Sequence, residues 1–191
     1  GGSFGGTVTV DYTGGGTFTL GNSDKTVALT PAASADATLK ISSGTLSLFS
    51  GNVNWSQKLV MGDGTTLTVQ DGPAVSGYYN YDATSINGDG FTFSGAATFG
   101  TGVNLTTQYG KNIKFTGVLT AASGFSISGA DSEYTYYTLT GTENQIGGTI
   151  AITRNSTSLG INASGSLGTA AVTTSSGSQY LTYYGTDRTS T

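Results

Sequence analysis

Phe91-Thr92-Phe93-Ser94-Gly95 returns, at a step of 22, as Ile113-Lys114-Phe115-Thr116-Gly117. Apolar, polar, apolar, hydroxyl and glycine all keep their places. The step continues beyond the strand: Gly102-Val103-Asn104-Leu105 returns as Gly124-Phe125-Ser126-Ile127, and Thr98 as Thr120. An upstream pair repeats at a step of 20 to 21. There Leu39-Lys40-Ile41 matches Leu59-Val60-Met61, and Leu46-Ser47-Leu48 matches Leu67-Thr68-Val69 after one insertion. Residues 17–20, 26–29, 148–152 and 158–161 alternate in the same way and are closed by Gly, Asn or Asp, the pattern of short half-buried strands.

A period of 20 to 22 with two or three strands per period predicts an all-β chain. The expected fold is a right-handed parallel β-helix, or β-solenoid, in which each strand pairs with its equivalent in the next coil. Inward residues then stack in columns (Phe91 under Ile113, Val103 under Phe125), and Thr and Ser face water. The antiparallel β-sandwich is the competing fold, since its short strands also recur at close, regular intervals. Residues 1–191 are read as one domain. Insertions are expected near 73–89 and 131–146, where the register breaks. Run over the whole chain, the period predicts eight or nine coils and a rod of about 40 Å.

Composition agrees. The chain holds 31 Gly, 34 Thr and 23 Ser, together 88 of 191 residues, and only 9% are charged. Gly and Thr weaken helices while Thr suits a pleated surface. Disorder is disfavoured because the charge that keeps such chains expanded is missing. The formal net charge is −4 with seven scattered Lys and Arg, so nucleic-acid binding is not expected. No apolar run approaches the roughly 18 residues that span a bilayer, so no membrane insertion by this segment is expected.

Gly16-Thr17-Phe18-Thr19-Leu20, Gly44-Thr45-Leu46-Ser47-Leu48, Gly64-Thr65-Thr66-Leu67-Thr68-Val69 and Gly148-Thr149-Ile150-Ala151-Ile152 carry a further likeness. In them the chain resembles the passenger segment of a bacterial autotransporter or a related repeat-containing surface protein. The resemblance implies a β-helix serving as adhesin stalk, spacer or platform on an exported, cell-surface protein. It departs from that family in lacking a signal peptide and the carboxy-terminal membrane barrel, which reads as a mature form or an excised segment.

Chemistry is sparse. The chain has no His and no Cys, which removes Ser-His-Asp and Cys-His arrangements and thiolate metal sites. No cofactor, metal or catalytic residue is expected, and the chain is read as a non-enzyme. A polysaccharide-binding or polysaccharide-acting β-helix is a further alternative. It needs acids on successive coils of one face, and no two of the eleven acids are related by a 20–22 step within the repeats. Asp131-Ser132-Glu133, and Asp82 with Asp89, are candidate incidental calcium ligands. Thr-x-Thr pairs (Thr7/Thr9, Thr17/Thr19, Thr66/Thr68) are similar to the hydroxyl arrays of ice-binding solenoids, although along the sequence they read as intermittent. Asn54, Asn104, Asn155 and Asn162 head Asn-x-Ser/Thr sequons.

Tyrosine supplies the candidate contact residues. Tyr78, Tyr79, Tyr81, Tyr134, Tyr136 and Tyr137 fall in the stretches that break the repeat, and a third cluster is Tyr180, Tyr183 and Tyr184. Tyr is an amphipathic interface residue that stacks on sugars. The expected role is therefore a stiff stalk presenting Tyr-rich loops to a glycan or host surface, with end-to-end self-association as a further expectation. The alternative is a subunit of an extracellular filament. There a β-sandwich would be completed by strand exchange through a donor strand at residues 7–12, bearing Val8, Val10 and Tyr12.

Overall fold

The computed structural model describes residues 9–21, 37–49, 53–70, 90–107, 112–129, 135–162, 164–175 and 177–183. They form nineteen β-strands and one 3-10 turn at Ser164–Leu167. Every strand pairing among them is parallel. The chain is a β-solenoid, and the sandwich is overturned by that directionality.

Three sheets run side by side along the stack. Sheet A is β1 (Thr9–Tyr12), β3 (Thr38–Ile41), β6 (Lys58–Met61), β9 (Ala97–Phe99), β12 (Leu119–Ala121) and β15 (Gln145–Ile146). Sheet B is β2 (Thr17–Leu20), β4 (Thr45–Phe49), β7 (Thr66–Gln70), β10 (Asn104–Thr107), β13 (Gly124–Ser128), β16 (Thr149–Ile152) and β18 (Ala171–Thr174). Sheet C is β5 (Val53–Trp55), β8 (Gly90–Phe93), β11 (Asn112–Phe115), β14 (Thr135–Leu139), β17 (Thr157–Ile161) and β19 (Gln179–Tyr183).

Five coils give a strand to all three sheets, with a partial coil at either end. That is fewer than the eight or nine expected, because coil length is not constant. Leu46 pairs with Leu67, a step of 21, but Leu67 pairs with Leu105, a step of 38, and Phe18 with Leu46, a step of 28. The seven strands of sheet B therefore span about 30 Å.

The repeats quoted above are in register. Phe91 pairs with Ile113 and Phe93 with Phe115. Leu39 pairs with Leu59, Leu46 with Leu67, Leu105 with Ile127, and Thr98 with Thr120. Their apolar members fill one continuous core in which Leu46, Leu67, Leu105, Ile127 and Ile150 are buried. Phe99 of sheet A links the other two sheets across it. Its ring makes edge contacts with Phe115 of sheet C and Phe125 of sheet B, at centroid distances of 5.6 and 5.4 Å. Phe93 stacks on Phe115 at 4.9 Å.

The insertion expected at 73–89 lies outside the described residues. The one expected at 131–146 is corrected from residue 135 onward, because β14 and β15 are rungs of sheets C and A. Tyr137 takes the inward place between Ile113 and Leu159. It is 1% exposed, and its hydroxyl donates toward the Ser128 and Leu105 carbonyls at 2.6 and 3.1 Å. An aromatic with a polar tip thus fills a slot that a search for aliphatic alternation passes over.

Asn144 is the second polar group built into the interior. Its Oδ1 accepts from the Leu119 N–H at 2.9 Å, and its Nδ2 donates to the Ser166 carbonyl at 2.9 Å. Sheet A ends at β15, and this side chain ties the 3-10 turn to the coils beneath it.

Glycines make the corner that enters sheet B. Gly64, Gly102 and Gly124 share one register position and have φ of 66, 72 and 75°. A Cβ at Gly124 would collide with the Thr149 carbonyl oxygen, whereas one at Gly64 would meet nothing. Left-handed φ alone makes Ala unfavourable by about 1–2 kcal/mol. We predict that Gly64→Ala loses about that much in urea unfolding, while Gly124→Ala loses more or fails to fold. Equal losses would mean that the corner imposes only its dihedral. Phe99→Ala should cost about 3–5 kcal/mol in the same assay. Asn144→Ala, which orphans two buried backbone groups, should cost about 1–3 kcal/mol.

Candidate functional site

Strand alternation turns each sheet outward as columns of side chains one strand spacing apart. The three faces differ in chemistry. Sheet A carries Asp11, Lys40 and Lys58, and sheet C carries Lys114, but no strand of sheet B holds a charged residue. Asp11 and Lys40 pair across β1 and β3, with the ammonium 2.9 Å from the carboxylate. The Ser42 hydroxyl donates to the same carboxylate at 2.7 Å. Ser42 first and Lys40 second hold the Asp11 carboxyl below its ordinary range. This exposed pair is a surface staple of small energetic weight.

The candidate tyrosines separate. Tyr78, Tyr79, Tyr81 and Tyr134 lie outside the described residues. Tyr137 is a core residue and is no contact residue for a partner, for the reason given above. Tyr136 faces outward and is half-buried. It shares a register column with Asn112, Ser158 and Tyr180. Tyr180, in β19, is 48% exposed. The two phenols stand two rungs, or about 10 Å, apart, with the small Ser158 between them. Ser158 Oγ lies 3.3 Å from Thr182 Oγ1, so the neighbouring column is linked to it. Tyr180 belongs to the third tyrosine cluster, which does not interrupt the repeat. Its signal was present: Tyr136, Ser158 and Tyr180 recur at a constant step of 22.

The expected donor strand has a different place. Val8 lies outside the described residues, and Val10 and Tyr12 belong to β1, the first rung of sheet A. That strand pairs in parallel with β3 of the same chain, as the first coil of a solenoid does. Tyr12 packs on Phe18 with ring centroids 5.3 Å apart, and Val10 is 49% exposed at the end of its column.

Three acids fall among the described residues. Asp11 is in β1, Asp63 is in the turn before β7, and Glu143 is in the turn before β15. The Asp63 carboxylate accepts from the Thr101 N–H at 2.8 Å, which locks the turn of one coil onto that of the next. No group of three metal-ligating side chains occurs among the described residues, and Asp82, Asp89, Asp131 and Glu133 lie outside them. Of the sequon asparagines, Asn104 accepts from Ser126 and Asn54 from Ser94, while Asn155 and Asn162 are exposed. No helix among the described residues is long and apolar enough to cross a membrane.

Compared with protein-family models, characterised proteins and solved structures, the chain matches none.

The Tyr137 phenol makes a prediction about alkaline pH. Burial raises its pKa above the ordinary value, because the phenolate would lose its hydration in the core. A group whose folded pKa is raised gives stability that is full below its unfolded pKa, about 10 for Tyr, and lost as pH rises beyond it. Tyr137→Phe should be less stable than the parent by about 1–3 kcal/mol at pH 7. The gap should narrow above about pH 10. A gap independent of pH would show that the phenol ionises as easily folded as unfolded.

Proposed function

We propose that this chain is a non-catalytic structural and adhesive segment of an exported cell-surface protein. It acts as a stiff stalk whose outer face carries tyrosines for contact with a glycan or host surface. The continuous parallel ladder of three sheets supports the stalk reading. Any bend must break inter-coil hydrogen bonds on one side and open the core behind them. The contact surface follows from Tyr136 and Tyr180, which share one outward column of sheet C. Two rigid amphipathic rings at fixed spacing suit stacking against sugar faces. The polysaccharide-acting alternative finds no support in the described acids, which stand apart.

A second reading has its own observation. Val10 and Leu181 are each 49% exposed, on the first and last described rungs, in register with the buried Leu39 and Leu159. Apolar columns left open there favour end-to-end association of solenoid units by parallel strand pairing.

The purified chain should bind a subset of an immobilised glycan panel or a host-cell surface. Tyr180→Ala should weaken that binding about tenfold, a change worth about 1.4 kcal/mol, with an unchanged circular dichroism spectrum. Small-angle scattering should show an elongated particle. Binding that survives loss of both Tyr136 and Tyr180 would refute the contact surface, and a compact isotropic particle would refute the stalk.

A further inference from the structure

Sheet B has an order that the sequence conceals. Two of its outward columns, joined by the strand register, run the length of the sheet, flanked by shorter ones that hold Phe49 and Gln70 on one side and Gly124, Thr149 and Ala171 on the other. Column one runs from Thr17 through Thr45, Thr66, Asn104, Ser126 and Ala151 to Thr173. Column two runs from Thr19 through Ser47, Thr68, Thr106 and Ser128, and the backbone bonds of Thr153 and Ser175 to the coil below carry it to the last rung. All but Asn104 and Ala151 carry a hydroxyl. Among the hydroxyl residues only Ser47 and Ser128 are buried, Ser47 accepting from the Gln70 side chain at 2.8 Å; the others are exposed or half-buried. The Thr-x-Thr pairs that look scattered along the chain, Thr17/Thr19 and Thr66/Thr68, lie on this one face. Thr9 departs, on sheet A.

We infer that this face binds crystalline water. The hydroxyls repeat at about 4.8 Å across the strands and about 6.7 Å along them, a lattice fixed by backbone hydrogen bonds and the pleat. The shorter repeat lies near the oxygen repeat along the a axis of hexagonal ice. Each hydroxyl offers one donor and two acceptor sites, so it can take a water's place in a tetrahedral network. Threonine is stiff at χ1, and its hydroxyl and methyl are held in place before any ligand arrives.

Two independent observations point to a ligand of this kind. First, the hydroxyls of Thr66, Thr68 and Thr106 at the centre of the face are half-buried and make no hydrogen bond with the described residues, so their donors and acceptors are left for solvent. Second, sheet B is the longest of the three sheets and the one without charge. A charged group draws water into its own shell and would disrupt a lattice, and the strand charges of sheets A and C stay off this face. Asn104, which accepts from Ser126 at 2.8 Å, and Ala151 interrupt column one, and the covered Ser47 and Ser128 interrupt column two.

The test is partitioning into slowly grown ice, with an inert protein of similar size in the same solution as the reference. The parent chain should be enriched in the ice at least severalfold over the reference. Thr66→Lys and Thr106→Lys, at the centre of the face, should each remove most of that enrichment. Thr98→Lys, exposed on sheet A, should leave it intact. Circular dichroism establishes that each variant is folded, and Thr68→Gln, which disturbs the plane without charge, stands in for a lysine variant that is not. Parent enrichment no greater than the reference overturns the inference. So does equal loss in Thr98→Lys, or pelleting of the parent with crystalline cellulose or chitin while ice excludes it.

Discussion

Each coil of this solenoid is held to the next by parallel backbone hydrogen bonds, and no coil can bury its apolar residues alone. Everything else in the molecule answers to that ladder. It sets strand spacing, which decides that Phe93 meets Phe115 face to face and that Leu46, Leu67 and Leu105 form a single column. It also restricts the interior. Polar groups there find their partners on the backbone around them, Tyr137 with one carbonyl of its own coil and one of the coil below, and Asn144 with one group in each neighbouring coil. The constraint acts on the strands rather than on the chain between them. The short coil from Leu46 to Leu67 and the long one from Leu67 to Leu105 stack in the same register.

The ladder also makes the outer surface a lattice. A residue's outward neighbours are its equivalents one coil away, so a local sequence feature becomes a column. Hydroxyls in a Thr-x-Thr strand become two rows on sheet B. Tyr136 and Tyr180 fall into one column on sheet C, and Asp11 and Lys40 become an ion pair on sheet A. The faces thereby acquire separate chemistries: sheet A is charged, sheet C carries the outward tyrosines, and sheet B is uncharged and rich in hydroxyls. A solenoid with distinct faces can carry two separate surfaces at once, since neither competes for the other's side chains.

The local pattern of the chain was sufficient for much of this. Alternation of apolar with Thr or Ser located β2, β4, β7, β16 and β17 because half-buried strands need a period of two. The constant step from Phe91 to Ile113 and from Val103 to Phe125 implied parallel stacking, because only equivalent strands in successive coils repeat their side chains in register. Glycine recurrence marked the corners, where φ above zero excludes most other residues.

Other features depend on contacts between coils, which local alternation does not report. The number of coils was overestimated because a period says nothing about the residues a coil carries between its strands. Alternation does not reveal β14, because Tyr137, an inward residue, interrupts the aliphatic pattern, and only its two carbonyl partners in the interior make it a core side chain. Asn144 gave no local signal, since its role lies in the coils on either side. The two hydroxyl columns of sheet B were invisible for the same reason. A sequence determines which residues alternate and recur, because those are properties of the backbone's own geometry. Which residues become neighbours was decided by the tertiary structure, because register between distant strands is a property of the whole stack.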